Sequence, residues 1–136
     1  MAETTARARP VSPRPLSPHL SIFRPLITMV MSIANRITGA AVYFGMLLLA
    51  WWLMAAATGP GAYDTANAVF GSWIGLLILF GFTLAYMMHL LGGVRHLIWD
   101  TGAGHGYRAR NGLSWATLIG SVVLTVLLWI AVLVAR

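Results

Sequence analysis

ITGAAVYFGMLLLAWWLMAAA, residues 37–57, is a run of 21 residues without a charge. As a helix it is about 31 Å long, the thickness of the hydrocarbon layer of a bilayer. Two more runs of this kind follow. Val69 to Val94 carries no formal charge, although His89 lies within it, and Leu113 to Ala135 ends at Arg136. The segment TGPGAYD, 58–64, separates the first run from the second, and the Gly-rich stretch TGAGHGYRARNG, 101–112, separates the second from the third. The reading is an all-α integral membrane chain of three transmembrane helices, with spans at about 29–57, 67–98 and 112–135. It predicts a member of a multi-subunit helix bundle.

Composition agrees with that reading. Of 136 residues, 59% are hydrophobic and 9% charged, against roughly 45–50% and 25% in soluble domains. Mean hydropathy is +0.79. Three acids and nine bases cannot cover a water-facing surface, which excludes an ordinary soluble enzyme. With no cysteine, the chain offers no disulfide, thiolate nucleophile or iron–sulfur ligand. The net charge is +6 and every base is arginine. These arginines stand at the ends of the apolar runs, so they read as topology signals; no nucleic-acid partner is expected.

Residues 1–28 form a Pro/Arg-rich segment, with prolines at 10, 13, 15, 18 and 25 that forbid a continuous helix. Arg7, Arg9, Arg14, Arg24 and Arg36 lie on the N-terminal side, and Arg95, Arg108 and Arg110 in and beside the second connection. Arg136 alone marks the other side. Eight against one places the N-terminus and the second connection in the cytoplasm. Trp51, Trp52 and Trp73 then suit an aromatic belt at the outer interface.

Ionisable groups inside a span call for an explanation. His89 lies six residues before Arg95, about 9 Å deeper along a helix. Gly92, Gly93 and His96 follow on the same helical face. A neutral imidazole has one acceptor nitrogen for a metal, and glycines beside it leave room for a flat macrocycle such as haem. Histidine hydrogen-bonded to a neighbouring helix, with glycines as a packing surface, is the simpler account of the same pattern. His89 is the one histidine well inside a span, so a haem with two histidine ligands needs its second from another chain. On the first span, Ser32, Arg36, Gly39 and Tyr43 form one stripe. A hydroxyl and a guanidinium there can bind a quinone carbonyl or a haem propionate; an arginine reaching lipid phosphate is the plainer alternative. Asp100 near a helix C-terminus opposes the helix dipole and calls for a basic partner such as Arg95 or a group on another subunit.

Three blocks, in order, resemble the cytochrome b556 membrane-anchor family of succinate dehydrogenase. RPLSPHLSIFRP, 14–25, looks like that family's RP-x-SPHL-x-IY; SIANRITG, 32–39, is similar to S-I-x-H-R-x-T/S-G; HLLGGVRHLIWDTG, 89–102, is similar to H-x-x-x-G-x-R-H-L-x-x-D. The resemblance implies that His89 is the axial ligand of haem b iron. It implies that Ser32 and Arg36 lie at a ubiquinone site, and that Arg36 and His96 lie near the haem propionates. Ser17 to Leu20 would face an iron–sulfur subunit. The implied complex adds a flavoprotein and a second small anchor supplying the other haem ligand. The Lys-free, Ala- and Arg-rich composition suggests a bacterial inner membrane, with the mitochondrial inner membrane as the alternative. No succinate chemistry is expected on this chain alone. Where the family usually has histidine before the motif arginine, this chain has Asn35, which does not titrate near neutral pH. An anchor of a quinol:fumarate reductase is the nearest alternative. A small subunit of a transporter or channel is the alternative outside redox chemistry, and the wholly apolar and aromatic course of the first span after Tyr43 argues against it.

Overall fold

A computed structural model describes residues 15–135 of the chain. Arg7, Arg9, Arg14 and Arg136, Pro10 and Pro13, and with them the first half of the 1–28 segment, lie outside the described residues. Four helices follow one another: α1 (Ile27–Thr58), α2 (Pro60–Gly71), α3 (Trp73–Asp100) and α4 (Tyr107–Val134). A short 3-10 turn, His19–Ser21, precedes them. Among the described residues there is no strand.

Three of the helices are long and apolar enough to cross a membrane, with mean hydropathies of 1.8, 2.1 and 2.6 over their most apolar stretches. Only 11, 11 and 17% of those stretches is buried within the chain. The distribution is that of a protein dissolved in lipid. Leucine, isoleucine and valine face outward, while Thr38, Ser114, Thr117, Ser121 and Thr125 lie inside. Small side chains let helix backbones approach, which is what drives association where lipid is as apolar as leucine.

The α1–α3 seam shows how this works. A methyl group at Gly39 would meet the His89 ring, one at Gly45 would overlap the Phe82 ring, and one at Gly92 would collide with the Asn35 amide oxygen. Each step forward on α1 is matched by a step back on α3, so the pair is antiparallel and in register along its length. On α4 the buried hydroxyls recur at spacings of three, four and four. Each bonds a carbonyl of its own helix: Ser114 to Arg110 at 2.9 Å, Thr117 to Leu113 at 2.8 Å, Ser121 to Leu118 at 2.8 Å and Thr125 to Ser121 at 2.7 Å. Their polarity is satisfied locally, and α4 presents a narrow face to the bundle.

The structure differs from the expected spans in two places. The second span, expected at about 67–98, is α3 and begins at Trp73; residues 67–71 belong to the separate helix α2. The chain breaks at Gly59, whose φ of +142° suits glycine, and Pro60 starts α2 at once, as proline can in a first turn. α2 folds back along the last turns of α1, where Trp52 Nε1 donates to Asn67 Oδ1 at 3.0 Å. Ser72 ends it and caps α3, its hydroxyl accepting from Gly75 N at 3.1 Å. The third span, expected to open at about residue 112, begins at Tyr107. Arg108, Arg110 and Asn111 occupy its first turns. A compact loop with Gly102 and Gly104 at φ of +83° and +78° lets α4 start early.

Candidate functional site

The site lies at the end of the bundle where α1 begins, α3 ends and α4 begins. His89 on α3 reaches across to α1. Its Nδ1 lies 3.1 Å from the backbone carbonyl of Asn35. A carbonyl can only accept, so Nδ1 is the donor in this contact, and in the neutral imidazole Nε2 is then the acceptor nitrogen. Gly39 makes this possible: a Cβ there would stand 2.9 Å from His89 Cε1. Gly92 and Gly93, one turn further on, part company. Gly92 is filled by the Asn35 side chain and so packs α3 on α1, while Gly93 faces open space. Of the two glycines expected to clear room for a macrocycle, one serves the helix seam and one is open.

Asn35 joins this point to a cleft of about 250 Å³. Thr28, Ser32 and Arg36 line it from α1, and Arg95, His96 and Trp99 from α3, with Asn35 between. The structure therefore brings Ser32, Arg36 and His96 to one cleft. His89 does not line it; it sits one to two turns deeper, connected through Asn35. Ser32, Arg36 and His96 are exposed, and His89 is half-buried. His19 and His105 are exposed on the surface and line no part of it.

Arg95 is the residue that sequence reading misses. It is 3% exposed, less than many leucines of the same chain. One guanidinium nitrogen reaches Ser114 Oγ on α4 at 3.5 Å, and the group lies 5.0 Å over the Trp99 ring. It turns to Ser114 and Trp99 rather than to Asp100, the partner expected from the helix dipole. Trp99 is packed edge-on by His96, with ring centroids 5.3 Å apart. Arg95 Nε, Trp99 Nε1 and Asn35 Oδ1 are all buried without a hydrogen-bond partner among the described residues. The sequence signal for Arg95 is the polar stripe of α4, whose first member is Ser114.

Among the described residues no group of three or more His, Cys, Asp or Glu side chains could hold a metal ion. A single imidazole in a span is compatible with a group that brings most of its own ligands and takes one from the protein. The fit is chemical: the contact of Nδ1 with the Asn35 carbonyl fixes the ring orientation, as a second-sphere partner does for a ligating histidine.

The sequence matches, over residues 10–132, the family described as succinate dehydrogenase/fumarate reductase transmembrane subunit. The chain belongs to that family. It is 47% identical over 114 residues to the succinate dehydrogenase cytochrome b556 subunit of Paracoccus denitrificans, covering 84% of this chain and 88% of that one. It is 38% identical over 117 residues to the subunit of the same name from Rickettsia bellii, covering 86% and 91%. A mitochondrial relative, the cytochrome b560 subunit of Sus scrofa, is 37% identical over 98 residues, covering 68% of this chain and 56% of that one. The family match reaches all four helices, and its description as a transmembrane subunit agrees with three helices long and apolar enough to cross a membrane.

Proposed function

We propose that this chain is a membrane anchor of a succinate:ubiquinone oxidoreductase, respiratory complex II. In that complex it binds haem b jointly with a second small anchor subunit and forms part of the ubiquinone reduction site. The observation that carries the reading is the His89 Nδ1 to Asn35 carbonyl bond, which leaves Nε2 free to ligate iron. A second protein ligand would come from the other anchor, because this chain has no other histidine well inside its spans. When bound, the haem supplies a one-electron redox centre beside the quinone. Relatives bearing a succinate dehydrogenase name favour that complex over a fumarate reductase.

The chain's own residues then have distinct tasks. His89 would hold the iron. Arg36 and His96, which line the cleft, would hold the propionates. Ser32 donates a hydrogen bond to a quinone carbonyl, and Arg36 polarises it, drawing electron density toward the oxygen that will take up a proton. Quinone reduction consumes two electrons, delivered by the iron–sulfur subunit, and two protons, taken from the side on which the cleft opens. Asn35 orients His89 through its backbone and relays no proton of its own. The arginine distribution supports an orientation with the cleft end and the N-terminus in the cytoplasm and the α2 end outside, and the bacterial relatives support an inner membrane. The exposed Ser17–Leu20 segment meets the iron–sulfur subunit, beyond which the flavoprotein oxidises succinate.

The test is co-expression with the neighbouring small anchor and the two soluble subunits, followed by reduced-minus-oxidised visible spectra of the assembled membrane complex. A b-type α band present in wild type and lost in His89→Ala is the expected result. A correctly assembled wild type without a band would overturn the haem assignment. For the quinone site, Ser32→Ala and Arg36→Ala should each lower succinate–quinone reductase activity at least tenfold while leaving succinate oxidation by an artificial dye unchanged. Equal loss of both activities would mean that these residues serve assembly.

A further inference from the structure

The cleft is electrostatically incomplete. Arg36 and Arg95 both line it, and none of its lining residues is acidic. Arg36 is exposed and can be hydrated. Arg95 is 3% exposed and meets little solvent, and a charge so buried is costly unless something compensates it. What the chain provides is weak: a hydroxyl at the 3.5 Å limit of a hydrogen bond and the face of an indole. Among the described residues, Arg95 Nε and Trp99 Nε1 remain as buried donors without acceptors. Asp100 follows on the same helix but is exposed, and Arg95 points instead to Ser114 on α4.

We propose that Arg95 is the buried cation of an oxyanion site in this cleft, compensated by a carboxylate or phosphate group from outside the chain, with Trp99 Nε1 as the accompanying donor. Two positive side chains, two donors lacking acceptors and no acid specify a ligand with several acceptor oxygens and negative charge. Arginine suits it because its fork matches both kinds of oxyanion. The cleft opens at the end of the bundle, where either source can arrive: a propionate of the haem placed there under Proposed function, or the phosphate of a membrane lipid. The carboxylate source rests on that earlier reading; the phosphate source does not. Arg95 is a positioning residue for that ligand and takes no part in electron transfer to quinone.

The test uses the complete complex, all four chains assembled, as wild type, Arg95→Gln and Ser114→Ala. Two quantities are read: phospholipid phosphorus retained per complex after exhaustive detergent exchange, and the midpoint potential of the haem. With a carboxylate ligand, Arg95→Gln lowers the midpoint potential, because losing a positive charge favours oxidised iron, and leaves phospholipid retention unchanged. With a phosphate ligand, Arg95→Gln loses phospholipid that wild type holds. No change in either quantity overturns the proposal. Ser114→Ala removes the protein's own partner for Arg95, and it is expected to match wild type in both. If Arg95→Gln does not assemble, Ser114→Ala decides: wild-type behaviour upholds an external anion, and failure to assemble shows that Ser114 was the compensation and overturns it. A wild-type complex with no haem band would end the reading under Proposed function and leave phospholipid retention as the measure of this one.

Discussion

The two halves of the α1–α3 seam use the same device for opposite ends. Toward the start of α1, glycines admit polar groups: Gly39 makes room for the His89 ring and Gly92 for the Asn35 amide. Toward its end, Gly45 admits the Phe82 ring. Around Gly45 lies an apolar pocket of about 300 Å³, with Leu48, Leu49, Trp52 and Phe70 on its walls. The cleft at the other end is of similar size but walled by arginine, histidine and hydroxyl groups. Close approach of backbones is thus a property of the whole seam, and chemistry is decided by what the glycine faces. In lipid an apolar contact contributes only packing, whereas a polar group in the seam must be matched or it costs heavily.

The comparison can be broken most forcefully at Gly45. Gly45→Val drives a branched side chain into Phe82, and overpacking of that kind destabilises by up to about 3 kcal/mol. Thermal unfolding of the purified complex, followed by circular dichroism, should show the loss. Adding Phe82→Ala should restore most of it, and the visible spectrum should be unaffected throughout. A spectral change in Gly45→Val would mean that the halves are mechanically coupled. Gly39→Ala should do the reverse. Its new methyl would lie 2.9 Å from His89 Cε1, so the imidazole must move while the helices need not. Haem content should fall about tenfold, equivalent to about 1.4 kcal/mol, with the melting temperature nearly unchanged.

How much of this can be read in the sequence follows from the physics of each part. The three spans are legible because hydropathy is additive over about 20 residues and owes nothing to tertiary context. α2 is not. Residues 60–71 hold glycine, proline and asparagine, and TGPG reads as a chain break. The structure uses the same residues as a one-residue break at Gly59 and a helix start at Pro60. The early start of α4 is hidden for a related reason, since its first turn is polar and carries no hydropathy signal. At the site, Ser32, Arg36 and His96 are legible from helical spacing and the motif order, and they share a cleft. Arg95 reads in sequence as the mark of a span's end. Its burial depends on Ser114, 19 residues later on another helix, and no local pattern expresses that. Gly92 and Gly93 are adjacent and chemically identical, yet only one meets α1; the rotation of α3 separates them, and rotation is fixed by packing.

Smaller changes at the α2 end should sharpen the contrast. Ser72 joins α2 to α3 with two hydrogen bonds: it donates to Val69 O at 2.6 Å and accepts from Gly75 N at 3.1 Å. Ser72→Ala removes the helix cap and should cost about 1 kcal/mol of thermal stability, with haem content and quinone reduction unchanged.

The smallest effect belongs to Trp52→Phe. The tryptophan links α1 to α2 in two ways, by its 3.0 Å hydrogen bond to Asn67 and by ring contact with Tyr63 at 5.8 Å. Phenylalanine keeps most of the ring contact and loses the bond. Asn67 and Trp52 are in an accessible region, so the freed amide can be hydrated and the loss should be about 0.5–1 kcal/mol. The informative measurement is local: hydrogen exchange of α2 amides should speed up by about threefold to fivefold, while exchange around Asn35 and His89 stays as in wild type. If protection at His89 fell as well, α2 would be bracing the whole α1–α3 seam. The polar half would then owe its geometry to the apolar half, rather than to Gly39 and the carbonyl of Asn35.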